Sequence, residues 1–344
     1  MECSTKRIVV VCTDRGLGDT ILTTPAIQAL REALPNIHLD VWINPKWRYV
    51  IDGFPGVSSI LDVRFRPKGL TLLRLLRVLR RSRSDAILIL NHSLRFARIA
   101  FWARVPMRAG RVDSIRPGGS LAKLLTHPVP LQPYMHRVEH NLSVAEAVLN
   151  CKLPHYPLFF MPAQPAVLPP QLQDLPKGCY AVIHLGTGGN QPCWIPTRFA
   201  EVCNYLAQKY HLLPVLSGTL DDRGMAEKCL SLLHVPFINL VGQVSIVELA
   251  EVLRRARMLI SVDTGVVHLA AAVGTPCVTM YFRKDNPPSR WFAWQVPNEV
   301  VTPLHYCVQC TQCCRKSLSY PLTCISSLRV EQVLEAVDQL IKRI

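Results

Sequence analysis

The chain has 344 residues, of which 49% are hydrophobic and 18% charged. That length accommodates two domains with a core each, and that composition excludes an intrinsically disordered chain. No apolar run reaches the ~20 residues that span a bilayer, and a formal net charge of +15 points to anionic partners such as nucleic acid, an acidic membrane surface or a phosphorylated ligand.

Met1–Arg7 is polar and leads straight into a strand-like run, without the basic-then-apolar order of a secretory signal, so a cytoplasmic location is expected. Arg7–Thr13 reads as a buried strand, and Thr20–Leu34 has helical periodicity and stops before Pro35. Ile37–Ile43 is a second strand, Leu70–Arg83 a basic amphipathic helix, Ala86–Leu90 a third strand and Arg137–Leu149 a helix. Seven prolines from Pro154 to Pro176 break regular structure and mark a connection between domains. Beyond them come the strand Tyr180–Leu185, the helix Thr197–Lys209, the strand Leu212–Ser217 and the helix Asp222–Leu233. The strand Phe237–Leu240, helix Ser245–Arg255, strand Met258–Val262, helix His268–Val273 and strand Cys277–Phe282 follow, and Leu328–Ile344 closes the chain as a helix. Such alternation predicts an α/β protein of two Rossmann-like, doubly wound domains facing across a cleft, with ligands at the carboxyl ends of both sheets.

Two strand-to-helix loops carry candidate chemistry. In Asp14-Arg15-Gly16-Leu17-Gly18-Asp19, Gly16 and Gly18 permit a tight turn and close approach of a ligand to the backbone. Asp19 stands where the next helix needs an N-cap; it is either a plain cap or a general base toward a hydroxyl. The third glycine of a dinucleotide fingerprint is missing. In Asp263-Thr264-Gly265-Val266-Val267-His268, a strand runs into a small-residue helix whose free N–H groups and positive dipole end suit a diphosphate. Asp263 would repel phosphate and suits sugar hydroxyls or loop orientation, and helix capping is the plainer reading of Asp263 and Thr264. His268 alone reads as readily as a structural histidine. His184-Leu185-Gly186-Thr187 is a second phosphate-contacting candidate, and Glu248 either accepts from ribose hydroxyls or is an ordinary solvent-facing helix residue.

At these residues the sequence resembles the family 9 glycosyltransferases, the lipopolysaccharide heptosyltransferases. The matching blocks are Gly18-Asp19-Thr20 through Pro25-Ala26; His184 to Thr187 with Trp194 and Arg198 to Glu201; Asn239 to Gly242 with Glu248-Leu249-Ala250; and Asp263-Thr264-Gly265 with His268 to Ala272 and Gly274-Thr275-Pro276. The resemblance implies a GT-B fold with residues 1–160 as acceptor-binding domain and residues 161–325 as nucleotide-sugar domain. It implies that 326–344 is a helix returning toward the N-terminal domain. It further implies an ADP-heptose donor, an inverting single displacement that needs no catalytic cofactor, Asp19 as base, and Asp263 against the donor sugar. Thr264, Gly265 and Val266 then form the diphosphate loop, and Thr187, Glu248 and His268 add donor contacts. Gly16, Gly18, Arg108 and Arg111 fall on the acceptor side, with Arg104 and Arg116 as further cations for acidic acceptor groups. The family's lysine before the tryptophan of the second block is absent: the residues are Gln191-Pro192-Cys193-Trp194. The leaving diphosphate then relies on the helix N-terminus, with Arg198, Arg283 or Lys284 as candidate cations, or else donor or activity has diverged.

Thirteen cysteines are present, and five crowd into Cys307-x2-Cys310-x2-Cys313-Cys314-x9-Cys324, a spacing compatible with a structural zinc or iron site, with free thiols or with one disulfide. Arg74, Arg77, Arg80 and Arg81 recur at helical spacing among leucines, which fits either a solvated helix face or an anionic membrane surface. The expected partners are therefore a nucleotide sugar, a lipid-linked acidic glycan, inner core lipopolysaccharide above all, and a peripheral contact with the inner membrane. Rival readings are a protein (autotransporter-type) heptosyltransferase, another nucleotide-sugar transferase, and a metal-binding regulatory protein. No helix-turn-helix, finger or aromatic RNA motif supports a nucleic-acid partner.

Overall fold

A computed structural model describes residues 6–91, 93–112, 121–187, 193–284, 286–306 and 323–344. Two compact units divide the chain, the first ending at Gln164 and the second running from Pro165 to Ile344. Each is a six-stranded parallel sheet flanked by helices.

The first unit contains β1 (Arg7–Cys12), α1 (Leu17–Ile21), α2 (Thr24–Ala33), β2 (His38–Ile43), β3 (Ser59–Asp62), α3 (Leu70–Ser82), β4 (Ala86–Ile89), α4 (Leu94–Trp102), β5 (Met107–Val112), β6 (His127–Pro130) and α5 (Arg137–Leu149). Its strand order is β3-β2-β1-β4-β5-β6. Ile8–Cys12 and Ala86–Ile89 are uninterrupted apolar runs because helices cover both faces of the central strands. Order reverses between β1 and β4, which pair from Ile8 opposite Ala86 to Val11 opposite Ile89. The proline-rich stretch begins inside this unit. Gly53 N donates to Met161 O at 2.7 Å, Met161 N to Val50 O at 3.0 Å, and Phe54 stacks on Phe159 with centroids 4.4 Å apart. These contacts hold the chain to the first unit past residue 160, so the division falls at Gln164.

The second unit contains α6 (Pro170–Gln173), β7 (Tyr180–His184), α7 (Pro196–Tyr210), β8 (Leu213–Ser217), α8 (Arg223–Leu230), β9 (Ile238–Asn239), α9 (Ile246–Arg255), β10 (Met258–Val262), α10 (Gly265–Ala272), β11 (Cys277–Met280), β12 (Asn298–Val301), α11 (Thr323–Ser327) and α12 (Val330–Ile341). Its order, β12-β11-β10-β7-β8-β9, repeats the first, with the reversal between β7 and β10. The last helix belongs to this unit. The stripe Val330, Val333, Ala336, Val337 and Leu340 is buried in the second core, as helical spacing requires of an amphipathic helix. Trp194 Nε1 donates to Leu328 O at 3.1 Å, and Tyr205, Lys209 and Tyr210 converge on the Asp338 carboxylate at 2.6–2.9 Å.

Candidate active site

In the first unit the loop after β1 carries Asp14 and Gly16 to the carboxyl edge of the sheet, at the β1/β4 reversal where open α/β sheets take ligands. Asn91, just past β4, reaches across and donates from Nδ2 to Thr13 Oγ1 at 2.7 Å. Gly16 precedes α1 with an extended backbone, and Gly18 and Asp19 lie within that helix. Asp19 does not cap the helix through its side chain; it sits in the first turn, and its carboxylate folds back over Gly16. A Cβ added to Gly16 would lie 3.0 Å from Asp19 Oδ2.

Asp14 is buried, and its Oδ2 meets no partner among the described residues. Burial, with the Asp19 carboxylate close by, pushes the Asp14 carboxyl up to about 7 against the pull of the Arg137 guanidinium. Burial raises Asp19 as well, and Arg137 again opposes it. Two carboxyl groups and one guanidinium thus share one electrostatic site. Sequence reading names Asp19 alone; Asp14 lies in plain view in the same loop, while Arg137 opens α5 far along the chain and leaves no local signal.

Arg111, in β5, is fully buried and donates from Nη2 to Leu90 O, while its Nε and Nη1 have no partner among the described residues. Arg108 does not join this group. It lies near the opposite end of the strand, where Nε donates to Leu124 O at 2.8 Å and Nη1 to Val105 O at 2.6 Å. Those bonds tie its Nε and Nη1 to the backbone. A cavity of about 340 Å³ is lined by Phe65, Arg66, Ser93, Leu94, Arg95 and Arg98. Arg116 lies outside the described residues.

In the second unit β7 and β10 are neighbours, with His184 opposite Ser261. The loops that leave them, Leu185–Thr187 and Asp263–Thr264, therefore emerge side by side at this sheet's own reversal. Thr264 is the residue before α10, Gly265 and Val266 form the first turn, and no side chain caps the helix. The Thr264 hydroxyl is buried without a partner among the described residues. Asp263 is buried and accepts from Asn286 Nδ2 at 2.9 Å. His268 lies one turn into α10, buried, its ring 6.3 Å from that of Trp291. Thr187 is half-buried next to Cys193, whose Sγ donates to Leu185 O at 3.0 Å.

Burial pushes His184 down to about 4, so the ring is neutral at pH 7, and its Nδ1 lies 3.0 Å from Ser217 Oγ. Asp222 accepts from Thr219 N and Oγ1 at 2.7 and 2.8 Å and fills the space beside Gly186, where any side chain would collide with its carboxylate. Asn286, Asp222 and Ser217 escape sequence reading because each acts through a residue on another element.

Two residues named for the donor side make bonds of their own. Glu248 closes a capping box on α9, its Oε2 accepting from Ser245 N at 2.7 Å, and that bond to the backbone amide holds its carboxyl below the usual range. Arg198 is tied to the second unit's own backbone. Its guanidinium donates to Ile325 O, Ser326 O and Leu328 O at 2.6–3.1 Å, closing the carboxyl end of α11. Arg283 and Lys284 remain, both just past β11 at the same edge as Asp263. Of the metal candidates, Cys307, Cys310, Cys313 and Cys314 lie outside the described residues, as do Gln191 and Pro192; Cys324 is buried in the second core. Among the described residues no three His, Cys, Asp or Glu side chains gather as metal ligands.

Paired six-stranded Rossmann-like units, each with its polar loops at the strand-order reversal, define the GT-B class of glycosyltransferases. Within that class the chain belongs to glycosyltransferase family 9 (heptosyltransferase), whose family model matches residues 72–320. Lipopolysaccharide heptosyltransferase 3 of Escherichia coli is 25% identical over 278 residues, 78% of this chain and 82% of the relative. A glycosyl transferase family 9 structure from Veillonella parvula superposes with a TM-score of 0.77 at 21% identity, covering 100% of this chain and 99% of that one. An E. coli heptosyltransferase WaaC structure with ADP gives 0.69 at 18% identity, covering 97% and 99%.

Proposed function

We propose that the chain transfers a heptose from ADP-heptose, with inversion, to a hydroxyl of an inner-core lipopolysaccharide acceptor at the cytoplasmic face of the inner membrane. Relatives named as lipopolysaccharide heptosyltransferases, and a family neighbour described with ADP, support the donor and acceptor classes. The observation that carries the reading is the start of α10: a buried, unpartnered Thr264 hydroxyl beside uncapped N–H groups, where a helix N-terminus favours a diphosphate. In this reading Asp263, oriented by Asn286, accepts from the donor sugar. Arg283 and Lys284 balance charge on the departing ADP in place of the family's lysine. Acidic groups of the acceptor meet Arg111 and the cavity of Arg66, Arg95 and Arg98. Asp19 takes the proton of the acceptor hydroxyl as its oxygen bonds to the anomeric carbon, and the bond from that carbon to the diphosphate oxygen breaks.

Thermal shift with nucleotide sugars tests this. ADP-heptose is expected to raise the Tm, since a ligand at 100 times its Kd stabilises by ~2.7 kcal/mol; UDP- and GDP-sugars are expected to leave it unchanged. Thr264→Val keeps the shape and removes the hydroxyl. A hydrogen bond to a charged group contributes ~1.5–3 kcal/mol, so the Kd for ADP-heptose should rise roughly 10- to 150-fold. A response to UDP-sugars alone would remove ADP-heptose as donor, and an unchanged Kd would remove Thr264 from the site.

A further inference from the structure

The outer face of the first unit formed by α3 and α4 carries a charge that no ion pair among the described residues balances. From Val63 to Val112 there are 13 lysines and arginines and one acid, Asp85. Asp85 is engaged elsewhere, accepting from Arg7 N at 2.8 Å. Arg74, Arg77, Arg80, Arg81 and Arg98 are exposed, and none is in an ion pair among the described residues. Exposed cations on other helices do find acids, as Arg254 finds Glu251 at 3.2 Å and Lys209 finds Asp338 at 2.8 Å.

Apolar surface is interleaved with these arginines. Leu70 is 83% exposed, Leu73 50%, Phe101 45% and Trp102 56%. The two helices are tied where Arg80 Nη2 donates to Trp102 O at 3.1 Å. Between them runs a groove of about 180 Å³ lined by Leu72, Leu73, Leu76, Ile99 and Trp102, with Arg95 and Arg98 also in its wall. Those two arginines line the proposed acceptor cavity as well, so groove and cavity share a wall.

We propose that the α3–α4 face docks on an anionic lipid surface, with Leu70, Leu73, Phe101 and Trp102 entering the headgroup region and the arginines meeting lipid phosphates. The pairing of guanidinium groups with exposed leucine and tryptophan decides the partner. Arginine stems and an indole suit the boundary between headgroup and acyl chain, whereas nucleic acid has no use for Leu70 and Leu73. No described helix is long and apolar enough to cross a membrane, so contact through this face is peripheral. Docking here would present a lipid-linked acceptor to the adjoining cavity, a role that rests on the acceptor proposed above.

Co-sedimentation of the full chain with vesicles tests the docking without donor or acceptor. Binding to phosphatidylethanolamine–phosphatidylglycerol vesicles and weak binding to phosphatidylcholine vesicles are expected. Each arginine near an anionic surface contributes roughly 5-fold in partitioning, so Arg74→Glu with Arg77→Glu should weaken binding by more than about 25-fold. Leu73→Ser with Trp102→Ser, both exposed positions, should weaken it at least about tenfold with an unchanged Tm. Failure to sediment with anionic vesicles, indifference to the Leu73 and Trp102 changes, or displacement of the vesicles by duplex DNA would each overturn the proposal. Transfer to a de-acylated, water-soluble acceptor is measured separately: vesicle binding without that transfer would remove the acceptor reading and leave the docking intact.

Discussion

Asp19→Asn is expected to lower kcat for heptose transfer by about 10²–10⁴-fold while the protein folds as before. Asparagine keeps the size and one acceptor oxygen of the native side chain and removes its ability to take a proton. The native carboxylate is well suited to that task. Burial holds its pKa above the ordinary carboxylate range, which strengthens it as a base, and the Arg137 guanidinium opposes that rise. Its carboxylate also folds back against the bare backbone of Gly16. Donor affinity should be unchanged, because Thr264, Asp263 and Asn286 all belong to the second unit. Thermal stability at neutral pH should hold or rise, since the substitution removes a desolvated charge. Single-turnover transfer measured alongside a melting curve checks both statements. A variant retaining activity within tenfold of the native protein would exclude Asp19 as the base.

The central strands were legible in the sequence because helices bury them on both faces, leaving β1, β4, β7 and β10 as continuous apolar runs bounded by polar loops. Reading the loop after each such strand as a ligand loop followed directly, which is how Asp19, Thr187 and Asp263 came into view. The elements on the β6 side of the first sheet were not legible. β5, with Arg108, Gly110 and Arg111, and β6, with two prolines in four residues, lack the β-branched content of a strand, and their pairing comes from the sheet they extend. α4 has no side-chain cap to mark its start. Strand order was out of reach too, yet it is the order β10-β7 that sets Thr187 beside Asp263 and Thr264. Arg198 shows the limit for charged residues: composition marks a cation, and only the fold reveals that three carbonyls already hold it.

Asp14→Asn and Arg137→Met should move the acid limb of the kcat profile in opposite directions. That limb reports loss of the proton from the Asp14–Asp19 pair, whose two titrations belong to the pair jointly. Removing the Asp14 carboxylate removes a like charge, so Asp19 ionises more easily and the limb moves to lower pH. Removing the Arg137 guanidinium removes the attraction that favours both carboxylates, so the limb moves to higher pH; a charge at this range shifts a neighbour by ~1 unit or more. The same pair predicts how stability depends on pH. Asp14 has a folded pKa of about 7 against 3.8 unperturbed, so the folded state binds its proton more tightly. Stability from that proton is fully present below about pH 4. It is lost as pH rises toward 7 and beyond. Asp14→Asn should abolish that fall, making the variant more stable than the native protein at pH 8 by on the order of 2–4 kcal/mol, with no such gain at pH 4. Transfer rates and denaturant midpoints across pH 4–9 measure both effects. Acid limbs that shift the same way in the two variants, or that stay fixed, would mean the two carboxyl groups and Arg137 do not act as one site.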